Sequence, residues 1–413
     1  MTKNWKKDTI LFLASQTISL FGSALVQYAI MWHITLTTKS GVMMTIAIIC
    51  GFLPTFFLSP FAGVWADRYN RKTLIILSDS IIAASTLVLA ILYTIGYDAL
   101  WLLFVVLAIR ALGAGIQTPA VGAFLPQIVP DDKLTKVNAT NSSIQSMIML
   151  VSPLLSGALL TMSSIGIIFY IDVVTAAIAV SILLLLLHVP AHAKALKKQT
   201  VSYFADMREG FIYIKNHRYI KAFFLFCAVF YVFISPAAFL TPLQVSRSFG
   251  SDVWRLTAIE IVFSVGMMAG GIIIASWDGF KNKVHTMVLG SLIVGTGTFA
   301  LGIIPVFWIY LLFMVLIGLS IPIFSTPATV LLQQTVEKDF LGRVFGVLGM
   351  ISSIMMPMGM LVFGPLSDLI KIEWLLIGTG FLLFVQGIFL LGNKVLIEAG
   401  KPIPPTTEPI QTR

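Results

Sequence analysis

The run Leu102-Leu-Phe-Val-Val-Leu107 leads to Thr118-Pro119-Ala120, and the run Leu311-Leu-Phe-Met-Val-Leu316 leads to Thr326-Pro327-Ala328. Each sits in an apolar stretch long enough to cross a bilayer, which takes about 20 residues at ~1.5 Å of rise apiece. Working outward from these two, the first half predicts spans at about 10–34, 41–65, 73–95, 99–124, 140–161 and 164–188. The second half predicts them at about 220–243, 255–277, 285–304, 306–331, 344–369 and 372–392. Lipid cannot satisfy exposed backbone groups, so these are helices. Barrel strands would read instead as alternating segments of about 10 residues.

The quoted stretches occupy the fourth and tenth spans, the same place in each half. A second match follows: Gly63…Asp67…Arg71-Lys72 after span 2 corresponds to Gly271…Asp278…Lys283 after span 8. We therefore expect an all-α membrane fold, with twelve helices in two pseudo-symmetric six-helix bundles. The bundles should cover residues 1–188 and 220–413, joined by a cytoplasmic linker at 189–219 that is amphipathic around Tyr203–Ile214. Parallel duplication of this kind puts a substrate site between the halves near the bilayer midplane.

Composition agrees. Hydrophobic residues make up 58% of the 413 and charged ones only 11%, against about 25% charged in soluble domains. The net charge of +9 could suggest nucleic acid, but its distribution reflects topology. The N-terminus, the even-numbered loops and the C-terminus hold 22 of the 27 Lys and Arg residues. The odd-numbered loops hold only Lys39, Arg247, Arg255 and Lys371, and Arg110 lies within a span. That asymmetry expects both termini in the cytoplasm. The start, Met1-Thr-Lys-Asn-Trp-Lys-Lys, reads as the approach to a first membrane helix, without a small-residue cleavage site. Cys50 and Cys227 lie inside apolar runs, and the five histidines have no ligand spacing, so no metal or cofactor is expected. No G-x-x-x-x-G-K-[ST] loop is present to cradle a nucleotide.

The costly residues are the informative ones. A charge at the bilayer centre costs roughly 2.5–3.5 kcal/mol on insertion scales, so it must face a partner or a wet cavity. Arg110 sits mid-span, and Asp79, Asp172 and Glu260 also lie within spans. A carboxyl that alternates between a greasy and a charged environment can carry a proton, so these four are the coupling candidates. Pro153 and Gly157 in span 5, with Gly364 and Pro365 in span 11, suggest thin, bendable helices where the halves meet. Among many Met and Phe residues, Gln16, Gln27, Gln117 and Gln145 are candidate polar groups lining a substrate cavity.

Gly63-Val-Trp-Ala-Asp67-Arg68-Tyr-Asn70-Arg71-Lys72 resembles the G-x-L-A-D-R-x-G-R-K loop of the major facilitator superfamily, with Asn70 in place of Gly. Asn tolerates left-handed backbone angles better than most residues. Physically the loop suits a gate: Gly63 admits close helix approach, and Asp67 can pair with a cation or cap a helix N-terminus. Ile109-Arg110 through Gly113 is similar to the family's R-x-x-x-G element. Ser152-Pro153 to Gly157 is similar to its antiporter G-P-x-x-G-G element, with Ser at two of the Gly positions. With Gly51-Phe-Leu-Pro54, Ser78-Asp79, Ile171-Asp172, Leu341-Gly342-Arg343 and Gly364-Pro365-Leu-Ser-Asp368, these motifs make residues 8–395 resemble the drug-exporter branch. They are similar in particular to bacterial macrolide-efflux proteins and related siderophore exporters. The resemblance implies proton-coupled export of an amphipathic drug across a bacterial plasma membrane by rocking of the two halves, in a functional monomer. A siderophore, another endogenous metabolite or tetracycline is the alternative cargo. A non-transporting sensor or scaffold is the rival class, and the intramembrane charges argue against it. An enzyme would need a catalytic cluster that the sequence lacks.

Overall fold

The computed structural model describes residues 5–187, 189, 212–337 and 340–401. Twelve of its helices are long and apolar enough to cross a membrane. They are α1 (Trp5–Thr38), α2 (Gly41–Arg68), α3 (Arg71–Thr94), α4 (Leu100–Ile128), α5 (Asp131–Met162) and α6 (Ile165–Leu186), the last ending in a π turn. Then come α7 (Arg218–Ser248), α8 (Val253–Trp277), α9 (Lys283–Leu301), α10 (Phe307–Thr335), α11 (Leu341–Leu369) and α12 (Ile372–Gly392). A short helix, α13 (Lys394–Ala399), follows.

Two departures from the expected spans have simple causes. α5 begins at Asp131, well before 140, because 131–139 is polar helix that hydropathy cannot see. Pro130 at its N-cap position and Asp132 in its first turn suit a helix start. α7 breaks at Leu240, where Pro242 removes a backbone donor and the chain restarts as Thr241–Ser248.

The packing repeats. Within the first half α2 lies on α4, α3 on α4, α1 on α6, α3 on α6 and α1 on α5. Adding six to each number gives the pairs of the second half: α8 on α10, α9 on α10, α7 on α12, α9 on α12 and α7 on α11. Between halves, α2 meets α11 and α5 meets α8, two contacts that exchange under the same operation. The fold is thus two pseudo-symmetric bundles. Most of the expected linker, 189–219, lies outside the described residues.

The cores show which way the molecule is closed. One apolar cluster joins the halves at the face opposite the termini: Trp32, Met44 and Ile48 with Leu240, Ile259 and Met360. Near the termini each half keeps its own core, Phe12, Leu74, Phe124 and Leu187 in one and Phe223, Val336, Val344 and Leu396 in the other. At the closed end glycines permit backbone contact. A Cβ on Gly41 would strike the Gly364 carbonyl oxygen, and one on Gly364 would strike the Thr45 hydroxyl. Gly157 is likewise held against Thr257 of α8. Gly41→Val is therefore expected to block closure of this face and abolish transport while leaving expression intact. A cross-link between cysteines placed at Ser40 and Ser367 would then form in the parent and fail in the variant.

Candidate functional site

Arg110 reaches the midpoint of α4 and is 6% exposed; Asp172 on α6 is 1% exposed. Arg110 Nη1 donates to Asp172 Oδ2 and to Thr86 Oγ1 of α3, both at 2.6 Å, and Nη2 donates to the Ser23 carbonyl of α1 at 3.0 Å. Ser23 Oγ donates to Asp172 Oδ1 at 3.4 Å. One guanidinium thus ties four helices together, and its fork of donors suits a desolvated carboxylate. Separating such a pair strands a buried charge.

Asp79, two turns from Thr86 on α3, is 2% exposed, and among the described residues no cation lies against it. Its Oδ1 accepts from Ser19 Oγ at 2.8 Å and Gln117 Nε2 at 2.7 Å, while Oδ2 has no partner among the described residues. Beside both acids lies a cavity of about 150 Å³ lined by Ser23, Gln27, Gly51, Arg110 and Gln117 among others. Of the four candidate lining glutamines, Gln27 and Gln117 face this cavity, and Gln145 is exposed on α5. Gln16 does not line it. Its side chain is buried in the α1–α3–α4 contact, because it falls on the core stripe Phe12–Gln16–Ser19. Glu260 is half-buried on α8, apart from the Arg110 cluster, and no hydrogen bond or ion pair reaches it among the described residues.

The basic segment after α2 differs from the loop that was expected. The helix continues through Asp67 and Arg68, leaving only Tyr69 and Asn70 between helices. The Asp67 side chain lies outside the described residues. Asn70 is extended (φ −64°), not left-handed, and its side chain caps α3 by accepting from the Lys72 amide at 3.0 Å. Gly63 meets nothing within 4 Å, so the close approach expected there is missing, since the halves are apart on this side. Arg71 donates to the Ala66 and Ala123 carbonyls and Lys72 to the Leu187 carbonyl, so both cap helix ends. Arg68 is exposed. Pro153 is buried in α5 one turn before Gly157, and Pro365 follows Gly364 in α11 at the α2 contact.

The opposite face carries a latch that the sequence reading did not single out. Asp368, at the end of α11, accepts from Ser40 Oγ at 2.7 Å and from the Gly41 and Val42 amides at 2.7 and 3.0 Å. It therefore caps the N-terminus of α2 in the other half, where a negative charge is favoured. Arg247, from the restarted end of α7, donates to Asp368 at 2.6 Å and to the Lys39 and Ser367 carbonyls. Lys39 takes a left-handed conformation (φ 48°) that presents this carbonyl. The available signals were Ser40-Gly41 as a cap and Arg247 as one of only four basic residues on its side. On α5, in contrast, Asn138, Ser142, Gln145 and Ser146 are exposed. Polar side chains like these do not face hydrocarbon, so they mark a wet surface that opens toward the termini.

Known proteins place this arrangement. The profile of the Major Facilitator Superfamily matches residues 10–360. Macrolide efflux protein A of Streptococcus pyogenes is 29% identical over 95% of this chain and 97% of its own length. The protein of that name from Enterococcus faecalis is 30% identical over 75% of this chain and 96% of its own. The Staphyloferrin A transporter of Staphylococcus aureus is 21% identical over 94% of this chain and 97% of its own. In structure the chain is similar to the nucleoside transporter NupG, with a TM-score of 0.70 at 16% identity over 95% of this chain and 99% of that one. It is also similar to the peptide transporter POT in complex with sulfate, with a TM-score of 0.71 at 14% identity over 96% of each chain. With twelve helices able to span the membrane, the repeated packing and a matching profile, the chain belongs to the Major Facilitator Superfamily, a multi-pass membrane transporter.

Proposed function

We propose that this transporter exports amphipathic, macrolide-like compounds in exchange for protons, by alternating access between its two bundles. The observation that carries the reading is the Arg110–Asp172 pair with Asp79 beside it, buried next to a cavity in the half-membrane. Charges this expensive persist in lipid where they work. Protonating or releasing a carboxyl of this cluster changes the hydrogen bonds between its helices, which links proton movement to the packing of a bundle. Glu260 would serve the same exchange from the second half. The similarity to the macrolide efflux proteins supports the direction and cargo class.

In this reading both termini are cytoplasmic, as the placement of Lys and Arg favours. The described conformer is then open inward, with exposed Gln145 and its neighbours on α5 offering hydrogen bonds to cargo and the Arg247–Asp368 latch holding the outer face shut. Gly63, Asp67, Arg68, Arg71 and Lys72 would form the matching inner gate when the bundles rock. The bundles span 1–188 and 220–413, the linker tethers them, and one chain suffices for function.

The test is expression in an efflux-deficient host. The expected result is a raised inhibitory concentration for macrolides that collapse of the proton gradient removes. Unchanged susceptibility together with unchanged dye retention would contradict drug export. A siderophore exporter is the second reading, favoured by the Staphyloferrin A transporter among the relatives, and it predicts loss of siderophore secretion on deletion.

A further inference from the structure

We infer that Asp79 is the proton-binding group and that Gln16 is its switchable partner, an assignment that rests on the proton-antiport reading. Among the described residues, Asp79 Oδ2 and both amide atoms of Gln16 are buried without hydrogen bonds. Leaving buried polar atoms unmade costs about 1–3 kcal/mol each, so native proteins rarely do it without a use for them.

The positions of the two residues bring them to one place. Gln16 and Ser19 are three residues apart on the buried face of α1, and Ser19 donates to Asp79 at 2.8 Å. One turn the other way, Phe12 packs on Phe124 of α4 with ring centroids 4.8 Å apart. Phe124 lies two turns along from Gln117, the second donor to Asp79. Gln16 therefore lies on α1 between one contact to α3, which carries Asp79, and one to α4, which carries its donor Gln117.

On these two residues the unpaired atoms are two acceptors, Asp79 Oδ2 and Gln16 Oε1, and one donor, Gln16 Nε2. A proton on Asp79 Oδ2 lets that O–H donate to Gln16 Oε1 and satisfies both acceptors at once. After the proton leaves, rotation of the amide lets Nε2 donate to the ionised Oδ2. Gln16 thus has a bond to make in either state. A metal ion fits less well, since hard cations take about six oxygen ligands and only two are free.

The charged groups facing Asp79 from its neighbours are few. Asp172 on α6 acts on it through its field. Arg110 on α4 is already committed to Asp172. α1 presents only Ser19 and Gln16 at this level, with Asp8 at its far end. Asp172 is held by a permanent cation, and Asp79, held by neutral donors alone, is the one free to change. Gln117, which donates to Asp79, also lines the cavity beside Arg110.

Infrared difference spectra between acid and alkaline buffer test this on the full chain in liposomes, with no cargo present. The parent should show a titrating buried carboxyl C=O band that Glu260→Gln leaves in place. Asp79→Asn should remove it and Asp172→Asn should leave it. Gln16→Met, which conserves volume, should move the band and shift its titration midpoint toward alkaline pH by about one unit. The shift follows because a bond to an ionised acceptor is worth more than one to a neutral acceptor. Gln16→Asn should restore part of the shift. A band that survives Asp79→Asn and vanishes in Asp172→Asn overturns the assignment while leaving proton antiport intact. A Gln16→Met spectrum identical to the parent's would remove Gln16. Absence of proton-driven flux in the parent would instead sink the antiport reading on which this rests.

Discussion

Arg110→Ala is expected to reduce gradient-driven export to background and to destabilise the protein by about 3–5 kcal/mol, the usual effect of removing one partner of a buried pair. The side chain removed makes three hydrogen bonds to α1, α3 and α6, at 2.6–3.0 Å. Asp172 would be left without its cation in an apolar bundle, with only a long contact from Ser23. The double variant Arg110→Ala/Asp172→Asn separates structure from function. Neutralising the stranded carboxylate should recover most of the melting temperature and none of the flux. If either single variant transports at the parent's rate, the pair has no part in the mechanism.

Arg247→Ala should act at the other end of the molecule and in a different way. The Arg247–Asp368 pair is about one-quarter exposed on both sides, so its worth must be discounted for solvent. Even so, Arg247 also holds the Lys39 and Ser367 carbonyls across the junction of the halves. Losing about 2 kcal/mol of closure energy would shift the balance toward the outward-open state by about thirtyfold. Asp368→Ala should shift it further, because the α2 amides of Gly41 and Val42 lose their cap. Spin labels on cysteines at Thr37 and Trp374, in a background with Cys50 and Cys227 replaced, would report it. A longer distance population growing from parent to Arg247→Ala to Asp368→Ala is expected. Identical distributions in all three would mean that the latch does not hold the face shut.

How much of this was legible in the sequence differs by kind of interaction. Helix number and span followed from apolar run length, because in lipid length and hydrophobicity are the physical requirement itself. The two-bundle repeat could be read in the Thr118-Pro119 and Thr326-Pro327 stretches, which fall inside α4 and α10. That Arg110, Asp79 and Asp172 share one bundle could be suspected from their cost, but the division between a paired acid and an unpaired one could not. It depends on which face of α1 meets α3, a packing fact with no linear trace. Gln16 was misread for the same reason, since an amide on an apolar helix signals that it needs a partner without saying which. The latch was hidden because Ser40, Arg247 and Asp368 belong to three separate loops and helix ends, each unremarkable in isolation. Asn70 shows the opposite error, in which a motif position suggested a left-handed turn and the residue instead caps a helix.

The central claim is that a proton moving one way drives an amphipathic compound the other. In everted vesicles containing the chain, with an acidic lumen and a pH-sensitive dye inside, a macrolide added outside should accumulate and alkalinise the lumen as it enters. Dissipating the gradient should stop both signals, and Arg110→Ala should show neither. Macrolide accumulation that persists without a gradient, or lumenal pH that is indifferent to every compound in a drug panel, would contradict the account.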